Sequence, residues 1–386
     1  MAFVALGLAV VAGACAGTRT AASPVPAAPV PAAPVPAAPV PAAPAAGGGA
    51  APETPPPLRW PVKTMPHVDL WLHAFAVLSE DSATVPLYRR GYRDSITVVK
   101  NQRNLLTALD ANRATLEKGL QRTGYLNAQF LPFAFANWEE MRATIEQFLQ
   151  LSGDPRRAPT REAAMRVQML ASVFTTAADR EWLRLFLAGV QDEAARFFTG
   201  EHHRLVRERT GTITAVDSLW QQVYRTKFER FLNNTSQRQG DLVLSLPIGG
   251  EGRTGPGFTG RPMVAVTWPA RAGDAAQVLY VLAHEVTGNL VGPAVADNTT
   301  PAEQRAGTAD RFVATGQVQA GAVLLARVAP ELVVGYQRYY LTQAGMRVSA
   351  SSSEAETVAM FDKRFALPAV IRSALVRQID IVLSGI

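Results

Sequence analysis

Of the 386 residues only one is cysteine, Cys15, so beyond that point disulfides, cysteine metal sites and thiol nucleophiles are excluded. Histidine is almost as scarce, at 5 residues, which restricts any imidazole ligand set to a handful of positions. Phe3 to Ala14 is apolar but falls short of the roughly 20 residues that a membrane-spanning helix needs. Charge is also missing from the start: Arg19 and Glu53 are the only ionic residues before residue 58, so the formal excess of +6 belongs to the remainder. That excess is diffuse. Arg156-Arg157 and the group Arg204, Arg207 and Arg209 are interleaved with carboxylates and lack flanking aromatics, a pattern of a solvated surface that argues against nucleic-acid binding.

Residues 1–17 have the length and apolar centre of an export signal. Ala12-Gly-Ala-Cys15 resembles the lipobox of bacterial lipoproteins, which implies a lipidated Cys15 and a membrane-tethered chain; Ala12-Gly-Ala14 also satisfies the rule for ordinary secretory cleavage. From Pro24 the unit Pro-Val-Pro-Ala-Ala repeats to Ala43, and proline at this density blocks helix and sheet bonding and favours an extended polyproline helix. Residues 18–57 are therefore expected to be a disordered Pro/Ala-rich stalk.

Beyond the stalk, residues 58–240 have helical periodicity. Helices are expected at 100–122, with Gly124 as the stop, from Asn137, whose Asn-Trp-Glu-Glu140 has capping-box form, and at 160–175, 178–198 and 215–232. His73 is expected to be a bonded core or rim histidine. Adjacent His202 and His203, about 100° apart on a helix, are expected at the surface rather than on one metal.

The pattern changes at Asp241. Leu242 to Leu246 and Met263 to Trp268 read as two strands joined by a long glycine-rich loop, giving a small antiparallel sheet in a part spanning 241–386. The loop contains Gly250-Glu-Gly-Arg-Thr-Gly255, a literal dinucleotide fingerprint, but Pro256 follows and no helix N-terminus is there to receive a pyrophosphate. After Pro269, Asp274 is the expected cap of a helix that runs to about Val291 and stops at Gly292-Pro293.

That helix carries His284-Glu-Val-Thr-Gly-Asn-Leu-Val-Gly-Pro293. Here the chain resembles the gluzincin-type zinc metallopeptidases, and more closely a group of bacterial proteins in that class whose site helix runs His-Glu-Phe-Ser-His-Ser-Phe-Val-Asn-Pro. The resemblance implies a helix-rich α+β, zincin-like domain in which His284 binds zinc and Glu285 is the general base. The second metal-binding histidine is replaced by Gly288. The third ligand, a Glu on a later helix, is implied within Gly316 to Arg327, which holds no carboxylate; Gln317 and Gln319 occupy the neighbourhood. The expectation is thus an exported, lipid-anchored envelope protein with a degenerate zinc site, no cofactor, and an extended peptide or protein as ligand. It would pair with the strand Met263 to Trp268. Two other readings stay open. One is an active zinc peptidase with an unorthodox ligand set, Tyr336, Tyr339 or Tyr340 polarising the scissile carbonyl; the other is a purely structural envelope lipoprotein.

Overall fold

A computed structural model describes residues 60–385 apart from 80–82, 122–124, 126 and 350. The expected export signal, Cys15 and stalk lie outside the described residues. Those described fall in one compact unit, Leu58–Ile386, and none of their helices is long and apolar enough to cross a membrane.

The chain enters through β1 (Val62–Thr64) and α1 (Pro66–Leu78), then α2 (Tyr92–Gln102), α3 (Trp138–Gln150), α4 (Arg161–Val173), α5 (Ala177–Glu193), α6 (Thr199–Glu208), α7 (Thr210–Ser218) and α8 (Arg225–Asn234). Strands β2 (Asp241–Ser245), β3 (Arg253–Pro256) and β4 (Pro262–Thr267) follow. The C-terminal part is helical: α9 (Ala276–Val286), α10 (Gly288–Ala296), α11 (Thr308–Val328), α12 (Val333–Gln343), α13 (Glu354–Arg364) and α14 (Ala369–Ser384). The fold is helix-rich α+β with a small mixed sheet.

Local signals account for several helix ends. Asn137 Oδ1 accepts from the Glu140 amide at 2.9 Å, and the Glu140 carboxylate accepts from the Ala136 amide at 2.9 Å, so α3 begins where its cap stands. Its Met141, Ile145 and Phe148 are fully buried at helical spacing. The continuous helix expected over 100–122 is interrupted. Asn104 adopts a left-handed backbone (φ 49°) that ends α2, and Thr107 starts a new turn by a reciprocal cap with Asp110.

The sheet order is β1-β2-β4-β3. Strands β1, β2 and β4 are parallel, with Leu242 opposite Val264 and Leu244 opposite Val266; β3 is antiparallel to β4. This corrects the expected antiparallel sheet. The glycine-rich stretch contains a strand of its own, β3, and by reversing the chain there it forces β4 to run the same way as β2. It also corrects the expected binding strand: β4 is paired on both sides, so its backbone donors are occupied, and the outer position belongs to β3.

Both faces of the sheet are covered. Leu242, Leu244, Val264 and Val266 face a core built with Trp220, Phe228, Val281 and Leu324, whereas Val243, Met263 and Ala265 face a second core with Trp71, Phe75, Phe186 and Leu183. This period-2 alternation divides two apolar layers across one sheet. Residues 58–240 divide between these layers, since α7 and α8 pack with the C-terminal helices while α1 to α5 cover the opposite face.

Candidate functional site

The His284-Glu285 pair lies on α9, which packs against β4, α11 and α12. Its helix differs from expectation at the end. Thr287 bonds back to the carbonyls of Ala283 (3.0 Å) and His284 (3.1 Å), the helix breaks there, and α10 continues through Pro293 to Ala296 rather than stopping at Gly292-Pro293.

His284 is buried and its Nδ1 lies 3.1 Å from Glu285 Oε1; the Glu285 side chain is only 8% exposed. The other carboxylate oxygen accepts from the Thr254 hydroxyl of β3 at 3.0 Å. Burial pushes the Glu285 carboxyl up, but the His284 bond and charge, with Arg253 and Thr254, outweigh it and hold the group below the usual carboxylate value. Close approach of β3 to α9 depends on Gly252, where an added Cβ would stand 2.7 Å from Glu285 Cγ and Val281 Cγ1 and 2.8 Å from the Ala265 carbonyl. The fingerprint-like glycines of this stretch thus serve close packing, Gly252 against α9, Gly250 against Gln343 and Gly255 against Phe133. Tyr340 stacks on the His284 ring (centroids 5.4 Å, 16° between planes).

The expected tyrosines are committed elsewhere. Tyr336 donates to the Val318 carbonyl (2.7 Å), Tyr339 to Gly249 (3.3 Å) and Tyr340 to Gly250 (3.0 Å), and burial pushes all three phenols up. Gly288 faces α11: a Cβ there would lie 3.3 Å from the Gln317 amide nitrogen. Gln319 is turned away, donating to the Phe365 carbonyl at 2.8 Å. Glu303 closes a capping box with Thr300, and Glu331 pairs with Lys227 at 2.5 Å. Glu285 therefore bridges His284 and the exposed Thr254, and Gln317 stands beside Gly288. Thr254 and Gly252 were missed in the sequence, because a strand spelled Arg-Thr-Gly-Pro has weak β character.

Among the described residues no three His, Cys, Asp or Glu side chains gather into a metal-holding group. The residues present do not fit zinc: the one imidazole is already engaged by Glu285 at Nδ1, and position 288, beside the neutral amide of Gln317, is a glycine that offers no ligand. Purified protein dialysed against trace zinc is expected to retain far less than about one equivalent, with no change on His284→Ala. Stoichiometric metal lost on that substitution, measured by mass spectrometry of the metal, would overturn this.

Comparison with known families, curated proteins and solved structures finds no match for this chain.

Proposed function

We propose that this protein is an exported, lipid-anchored envelope protein whose metallopeptidase-like site is non-catalytic and whose outer strand β3 binds extended polypeptide. The observation that carries the reading is the placement of β3: it is the last strand of the order β1-β2-β4-β3, and its Thr254 bonds Glu285 of the site helix. A strand at this position can pair with an added chain through its backbone, with affinity from main-chain bonds and selectivity from neighbouring side chains. Arg253, 4.6 Å from the Phe130 ring centroid, and Phe258, exposed at 42%, supply such side chains. The missing metal ligands do not bear on this interaction.

The test is hydrogen exchange with peptides selected from a library of extended sequences. Binding is expected to slow exchange of the non-proline amides in 253–256, and Glu285→Gln is expected to change affinity by less than about twofold, since no chemistry is involved. Absence of any binder, or protection that leaves β3 untouched, would favour the purely structural reading.

A further inference from the structure

A second candidate site shares no residue with the Glu285 cluster. A cavity of about 310 Å³ opens between α2, one side of α6 and the chain after β2, with Arg89, Tyr92, His202 and Arg209 among its polar lining and Ile96, Val99 and Leu205 among its apolar lining. Its size is at the lower end of small-molecule pockets. Gly91 and Ser95, both exposed, stand at its rim.

His202, expected at the surface, is instead 2% exposed, while His203 beside it is exposed. Neither ring nitrogen of His202 has a hydrogen-bond partner. Its Nε2 is 3.3 Å from Asp69 Oδ2, outside hydrogen-bond alignment, and that oxygen is likewise unpartnered although Asp69 is fully buried. The other Asp69 oxygen accepts from the Leu246 amide at 3.2 Å. Buried polar atoms without partners cost roughly 1–3 kcal/mol each, so three in one place call for a ligand or a functional reason.

The surrounding charge is positive. Arg89 donates to the Ile248 carbonyl (3.1 Å), the Thr267 hydroxyl (2.9 Å) and the Trp268 carbonyl; Arg209 donates to the same Trp268 carbonyl at 3.1 Å and lies over its ring. Two guanidinium groups are thus pinned side by side. Burial, and after it the Arg209 charge, pulls Arg89 down to about 10. The nearby carboxylates are mostly spent: Glu201 is tied to Arg103 and Arg204, and Glu193 to His73 and Lys100, leaving Asp69 against both arginines. His73 is saturated by Glu193 and Tyr92. Helix α2 also starts here without a side-chain cap on Gly91.

We propose that this cavity binds a small carboxylate with a short apolar body, its oxygens between Arg209, Arg89 and His202 and its chain against Ile96, Val99 and Leu205. With Asp69 beside one His202 nitrogen, a ligand oxygen at the other would give the ring a partner that the protein does not supply. Charge-assisted bonds in a confined pocket provide the affinity, and the apolar wall separates such ligands from inorganic anions.

Calorimetric titration of the full chain with hexanoate, hexanol and inorganic phosphate tests this. Hexanoate is expected to bind saturably at one site, with hexanol weaker by at least about tenfold, and Arg209→Gln is expected to weaken hexanoate by at least about tenfold with circular dichroism unchanged. Because Arg209 also holds a backbone carbonyl, Ser95→Glu at the exposed rim provides an independent variant, whose added negative charge should weaken hexanoate as well. Lack of saturable hexanoate binding, equal binding of hexanoate and hexanol, binding of phosphate alone, or indifference to both substitutions would overturn the assignment.

Discussion

Glu193→Ala is expected to destabilise the domain by about 3–5 kcal/mol, a drop in Tm on the order of 10 °C. The Glu193 side chain is fully buried, and its two oxygens hold three partners: His73 Nε2 at 2.9 Å, Lys100 Nζ at 2.7 Å and the Thr107 hydroxyl at 2.5 Å. Removing the carboxylate leaves a Lys100 that is 3% exposed with Asp110 as its remaining counter-charge, together with an unpaired His73 nitrogen. The penalty comes from those stranded groups more than from the lost attraction. Burial pushes the Glu193 carboxyl up, but the His73 bond and the charges of His73 and Lys100 outweigh it, so its folded value lies below the ordinary 4.5. A group depressed in this way stabilises the fold fully above its unfolded value and loses that contribution as pH falls through the folded one. Urea unfolding as a function of pH should therefore show a loss below about pH 4.5 in the native chain that is reduced in Glu193→Gln. A loss under about 1 kcal/mol in Glu193→Ala would mean that the network relaxes or admits water.

Trp60→Ala is expected to cost a similar 3–5 kcal/mol. Trp60 is fully buried before β1, its indole N–H donates to the Gln237 carbonyl at 3.0 Å, and its own carbonyl accepts from Trp220 (2.9 Å) and Gln221 (3.2 Å). Gly240 makes room for the ring: a Cβ there would stand 2.5 Å from it. The residue thus fastens the entering chain to the segment between α7 and α8 and to the turn that leads from α8 into β2. A chain beginning at residue 58 keeps this anchor and is expected to match the full chain within about a degree, because the Pro/Ala composition of 18–57 offers nothing to a core. Thermal denaturation of the two proteins separates the effects. A loss of about 5 °C on truncation would show that residues before 58 contribute to folding, and a near-neutral Trp60→Ala would remove the anchor.

The candidate site was partly legible. The glycine at 288 and the absence of a carboxylate over Gly316 to Arg327 follow from residue identity alone. That Gln317, and not Gln319, faces Gly288 depends on the rotation of α11 against α10, which is settled by packing. The cavity around His202 was not legible. Asp69 and Arg89 are far in sequence from the His202–Arg209 stretch, and the two parts meet only because the N-terminal helices and α6 pack together.

What the sequence by itself determined is local: the α3 start at Asn137, the helix-rich class, the two apolar strands, and a helix that carries His284 and Glu285 with glycine at 288. Caps and periodicities act over a few residues and need no partner. The tertiary structure alone decided strand direction, the central place of β4, the outer place of β3 and the burial of His202. Period-2 alternation specifies which side chains share a face but carries no sign for parallel or antiparallel pairing, and burial depends on which distant element arrives to cover a residue.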